Sequence, residues 1–141
     1  MMTTQTTVKE ALGHGVSREW LEDGRILVLT MPEGAHRDAI DVWFNTLTET
    51  ADQWDKSRPF LVLHDSRELG FSYYFRERAI AAGKRTPKDL KGRAAVVLSG
   101  GVIGHLLAML AKLSSNNVSA HFTLKTFNDY DQALTWLREG L

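Results

Sequence analysis

The 141-residue chain contains no cysteine and only three prolines. Without thiols it has no disulfides, no thiolate metal site and no cysteine nucleophile. Charge of one sign is also missing, because seventeen Lys and Arg balance seventeen Asp and Glu. That removes the net positive field with which nucleic-acid binders gather phosphates, so no nucleic-acid partner is expected. No apolar run reaches the roughly 18 residues that a membrane span needs. The longest, Val102 to Leu113, is interrupted by Gly104 and His105. The opening MMTTQTTVKEALGHG has no apolar core of a signal peptide. The expected setting is the cytoplasm, and a lack of cysteine agrees with a reducing compartment.

What remains is an ordinary globular composition, 43% hydrophobic and 24% charged, at the length of one domain. Residues 1–15 read as a polar tail with room for a helical turn at Val8 to Leu12. Residues 16–141 read as the domain. Val16 to Leu21 and Arg25 to Thr30 flank Glu22-Asp23-Gly24, a turn signal between two β-prone runs that predicts a hairpin. Ile40, Trp43, Phe44, Leu47, Ala51 and Trp54 fall on one face at helical spacing. Phe60 to Leu63 and Ala94 to Leu98 are continuous apolar runs, the mark of strands covered on both faces. Ser72 is placed to cap a helix that Gly83 would end, leaving Lys84 to Gly92 as a basic loop. Asp129 to Gln132 has the form of a capping box ahead of a last helix. The expectation is an α/β fold: a single-layer five-stranded mixed sheet, an N-terminal antiparallel hairpin then mostly parallel, covered by about four helices. Its strands are predicted near residues 16–22, 25–31, 60–65, 93–98 and 119–126.

That order of elements, with certain residues, resembles the SpoIIAA-like family, within the wider group of STAS and lipid-binding CRAL-TRIO-type domains. The residues are Arg25 to Leu29, the strand Phe60 to Asp65, Gly92 to Val97, and the ending Phe127-Asn128-Asp129-Tyr130-Asp131-Gln132-Ala133-Leu134-Thr135-Trp136-Leu137. The resemblance implies a small non-catalytic domain, either a regulatory or protein-interaction module or a carrier of a small apolar ligand or lipid. STAS antagonists carry a phosphorylated serine at a helix start. Ser72 is the nearest match and so the implied phosphosite, although Gly70-Phe71-Ser72-Tyr73 lacks the family's flanking pattern.

His64-Asp65-Ser66 spells the three members of a catalytic triad. Neighbouring side chains on a strand point to opposite faces, so the three cannot converge, and no enzyme activity is expected. The five histidines, at positions 14, 36, 64, 105 and 121, show no ligand spacing, so no metal site is expected. No cofactor motif is present: Ser99-Gly100-Gly101 sits where phosphates bind in other folds, but lacks the glycine spacing of a dinucleotide site and the lysine of a P-loop.

Two places are expected to meet a ligand or partner. In Phe71-Ser72-Tyr73-Tyr74-Phe75, four aromatics in five residues cannot all point inward. Val102 to Leu113, which includes His105 and Met109, has almost no polar face, and Gly100 and Gly101 would allow close approach at its start. A sheet covers only one side of such a helix. A second copy of the chain, or an apolar pocket, is expected on its other side. The dimer is favoured, so light scattering should report a homodimer, and at least one of Leu107→Asp, Met109→Asp and Leu110→Asp should yield a folded monomer or lose a co-purifying ligand. A wild-type monomer that yields no apolar compound on extraction would make this helix ordinary core.

Overall fold

A computed structural model of the chain describes residues 8–34, 36–68, 72–99, 104–105, 108 and 121–141. Six strands form one sheet in the order β1 to β6. They are β1 (Glu10–Gly13), β2 (Val16–Leu21), β3 (Ile26–Thr30), β4 (Phe60–Asp65), β5 (Gly92–Val97) and β6 (Phe122–Phe127). The first three run antiparallel as a meander, and β3 to β6 are parallel. Three helices accompany them among the described residues: α1 (Arg37–Gln53), α2 (Tyr73–Arg85) and α3 (Tyr130–Arg138). The predicted mixed sheet is present, with one strand more than expected. Most of the fourth predicted helix, residues 102–113, lies outside the described residues.

The extra strand falls in the stretch read as a tail. Glu10 to Gly13 pairs with β2 through a tight turn at His14 and Gly15, both in the left-handed region. The short alternation of this segment carried little strand signal, and what holds it extended is β2 beside it. An Arg18–Glu10 ion pair of 2.7 Å joins the two strands. The β2–β3 hairpin forms where predicted, with Glu22, Asp23 and Gly24 all at positive φ. Arg25 closes that turn by donating its backbone N–H to Leu21.

β3, β4 and most of β5 are buried on both faces, as their continuous apolar runs require. Alternation sorts their side chains into two cores. Leu27, Leu29, Phe60, Val62, Ala94 and Val96 pack under α1 and α2. Ile26, Val28, Leu61, Leu63, Ala95 and Val97 face α3. α1 buries the stripe of Ile40, Trp43, Phe44 and Ala51. Lys56 closes its end by donating to the carbonyls of Ala51 and Trp54, both at 2.9 Å, where a cation also suits the helix dipole. α2 starts at Ser72 as predicted, its hydroxyl accepting the Phe75 N–H at 3.3 Å. It runs past Gly83 to Arg85, so the basic loop is shorter than expected. Pro87 follows two residues on, and the Thr86 hydroxyl bonds the Ala82 carbonyl at the helix end. Asp129 caps α3 by accepting the Gln132 N–H at 3.0 Å, one of the two bonds of the predicted capping box.

The start of β5 is the tightest point of the sheet. Gly92 has φ +142, and a Cβ placed on it would lie 2.0 Å from the Phe60 carbonyl oxygen. No side chain fits there without parting β4 from β5. Gly92→Ala should lower the unfolding free energy by about 2–3 kcal/mol, read as a fall in the urea midpoint without a change of slope. An unchanged midpoint would show that the strands separate at little cost.

Candidate functional site

Small residues face one another where α2 meets the sheet. Ala79, Ala82 and Gly83 of α2 look across at Ala94 of β5, with Ala51 of α1 to one side, and these positions line a cavity of about 120 Å³. Side chains this short cannot fill the separation between a helix layer and a sheet. Larger groups line the rest of the space: Trp43, Phe44 and Leu47 from α1, Phe75 from α2, and Phe60, Phe122 and Leu124 from the sheet. The size approaches that of a cavity of roughly 150 Å³ known to take up benzene.

Two polar residues of this cavity, His64 and Ser66, stand at the carboxyl end of β4, while Thr48, Asp52, Arg85 and Thr86 line it from α1 and the end of α2. His64 is buried, and the Trp43 indole N–H donates to its Nδ1 at 2.9 Å. The two rings also stack, with centroids 5.3 Å apart. Burial pushes the His64 pKa down to about 4, so the ring is neutral at physiological pH. Because Nδ1 accepts, the ring proton of the neutral form sits on Nε2. The Ser66 backbone N–H donates to Val97 at 2.9 Å, which carries the β4–β5 ladder one step past the strand. Strand parity is kept, so Ser66 shares the cavity face with Val62 and His64.

Asp65 turns to the opposite face. There its carboxylate accepts Arg67 Nε at 2.8 Å and a second guanidinium nitrogen at 2.7 Å, a forked pair. The Arg67 guanidinium lies 5.3 Å from the Tyr130 ring centroid. Burial first, then the charge of Glu19, raises the Tyr130 pKa. With Lys9, Thr30 and Asp131 these residues line a polar cleft on the α3 side of the sheet. The adjacency of His64, Asp65 and Ser66 thus delivers two of them to one pocket and the third to another, as strand alternation requires.

Along the outer rim of the cavity, polar side chains link α1 to α2. The Tyr74 hydroxyl donates to the Asp41 carboxylate, which raises the tyrosine pKa, and Arg37 lies over its ring at 4.4 Å. Arg78 donates to Asn45 at 3.0 Å, and Arg85 pairs with Asp52 at 2.9 Å.

Among the residues singled out from sequence, Ser72 is the α2 cap and Tyr74 is bound to α1. Tyr73 is 73% exposed, which meets the expectation that one aromatic of this run faces outward. His105 is helical and exposed, and none of these four lines the cavity. Phe71, Gly100, Gly101 and Met109 lie outside the described residues. The one near neighbour that does reach the cavity is Phe75, packed against Trp43 and Phe44. Sequence reasoning missed His64 and Ser66 as cavity residues. The available signal was their spacing of two, which places both polar side chains on one face of an otherwise apolar strand. Among the described residues no cluster of three His, Asp or Glu could hold a metal ion, and no helix is long and apolar enough to cross a membrane.

Comparison with solved structures finds an uncharacterised protein of the DUF3478 family from Shewanella loihica, with a SpoIIAA-like fold. It is 19% identical to this chain, with a TM-score of 0.58 over 97% of this chain and 99% of that one. The chain therefore has a SpoIIAA-like fold. No protein-family model matches the sequence, and neither does any curated protein.

The buried imidazole gives a direct handle on the site. Its folded pKa is depressed, so the unfolded chain binds the extra proton first. Its contribution is complete above pH 6.5 and is lost as pH falls towards 4. Over that window the wild type should lose roughly 3 kcal/mol more unfolding free energy than His64→Gln. Urea titrations at pH 7, 6, 5 and 4 measure the difference. Parallel pH profiles for the two proteins would mean that the ring titrates in the folded protein as it does in the unfolded chain.

Proposed function

We propose that the chain is a non-catalytic binding domain that holds a small, mostly apolar molecule between α1, α2 and the sheet. The observation that carries this reading is the cavity itself, walled by aromatic and aliphatic side chains and closed at one end by His64 and Ser66. Ligand sites commonly combine an apolar lining with a few placed polar groups. At about 120 Å³ the space suits six or seven non-hydrogen atoms and not a whole lipid.

Binding without catalysis is supported by how the polar groups are occupied. A serine nucleophile needs a histidine base that a carboxylate orients. His64 Nδ1 is taken by Trp43, and Asp65 is held by Arg67 on the far side of the sheet.

A second reading, a regulatory module that meets a protein partner, is favoured by Tyr73, a large exposed aromatic at the start of α2. Aromatic side chains are frequent interface anchors. Ser72 beside it caps the helix, where a phosphate would meet the positive end of the dipole.

Organic extraction and mass spectrometry of the purified protein separate the two. A bound compound of about six or seven heavy atoms is expected from the wild type. Ala94→Leu projects into the cavity, so it should lose that compound and gain roughly 1 kcal/mol of stability from the filled space. No compound from the wild type, together with a destabilised Ala94→Leu, would make the cavity ordinary packing and leave the interaction module as the better reading.

A further inference from the structure

Ser66 is fully buried, and its hydroxyl oxygen has no hydrogen-bond partner among the described residues. A hydroxyl taken out of water and left unsatisfied works against folding, and alanine would serve packing better at this point. The side chain faces the cavity, two residues beyond His64 on the same side of the sheet. A serine kept here at a cost to the fold is explained by a group that enters the cavity and bonds it.

The neighbouring side chains restrict that group. A hydroxyl both donates and accepts, and the neutral His64 ring carries its proton on Nε2, so this end of the cavity can bond a neutral head. Among the described residues no unpaired cation lines the cavity to meet an anion. The charged residues lining the cavity, among those described, are Asp52 and Arg85, which pair with each other at 2.9 Å. They lie near the carboxyl end of α1 and of α2, the opposite end from Trp43, which stacks on His64, and Phe75, which packs against Trp43. Arg67, the nearest guanidinium in sequence, is bound to Asp65 on the other face. A carboxylate or phosphate at Ser66 would find no free countercharge among these described residues, which is heavily unfavourable in an apolar space.

We infer that the ligand is an uncharged molecule with one hydrogen-bonding head of the phenol, alcohol or amide type. Ser66 binds that head at the carboxyl end of β4, and a single ring or short alkyl chain fills the space under α1 and α2. This assignment rests on the cavity being a ligand site, and goes beyond it in naming the head group and the residue that reads it.

Three probes of similar size test it by calorimetric titration of the intact protein at pH 7: toluene, phenol and benzoate. Phenol should bind at least as tightly as toluene, because Ser66 offsets the desolvation of its hydroxyl. Benzoate should bind at least tenfold more weakly than phenol. Ser66→Ala should leave toluene binding in place and lower the ratio of phenol to toluene affinity about tenfold. If toluene binds but wild-type phenol is tenfold weaker, or benzoate matches phenol, or Ser66→Ala leaves the ratio unchanged, the head-group assignment is wrong and the cavity still binds ligand. If neither toluene nor phenol binds, the cavity reading falls as well. The wild-type comparison needs no variant, so it decides the matter even where Ser66→Ala does not fold.

Discussion

Four parallel strands laid side by side in chain order leave their connections little freedom. Each connection steps one strand in the same direction, and connections of this kind are overwhelmingly right-handed. Helices made by such steps must collect on one face of the sheet. α1 and α2 do so, and Ala108, from the connection between β5 and β6, packs against the same core. Only the chain after β6 is free to return across the other face, and α3 takes that place. The two pockets follow from this asymmetry. The crowded face traps an apolar space between helices and sheet, while the other keeps an open polar cleft beside Asp65, Arg67 and Tyr130.

The apolar space survives because the layers are held apart by large groups at its ends. Trp43, Phe44 and Phe75 form one aromatic cluster, and Trp54 packs against Phe60 and stacks on Trp20 at another point. Between them stand alanines and a glycine that cannot bridge the gap. The bonds of Tyr74, Arg78 and Arg85 across the rim lie towards solvent and contribute little to stability individually. Aromatic packing therefore sets the separation of α1 and α2 from the sheet, and the rim contacts join the two helices along their outer edge.

Polar chemistry enters this core only where it is matched. His64 is tolerated because it is neutral and accepts the Trp43 indole N–H. Asp65 is tolerated because a forked arginine compensates it. Ser66 departs from the rule, and a local departure from good packing is more often found at a working site than elsewhere. Fold likeness alone would not single out this point, since one architecture serves many functions.

Much of the fold was written locally. The continuous apolar runs at Phe60 and Ala94, the helical stripe from Ile40 to Trp54, and the caps at Ser72 and Asp129 each determine their element through short-range sterics and hydrogen bonding, and each forms as read. β1 was not legible, because Glu10 to Gly13 is extended only by virtue of the strand beside it. The end of α2 was misread at Gly83, since helix packing outweighs a glycine's preference to stop. Alternation along β4 already placed His64 and Ser66 on one face and Asp65 on the other. That Trp43, twenty-one residues earlier, would meet His64, and that small side chains from three elements would face one another across the sheet, depended on how helices dock. Docking is set by the joint shape of distant surfaces, and no local pattern in the chain records it.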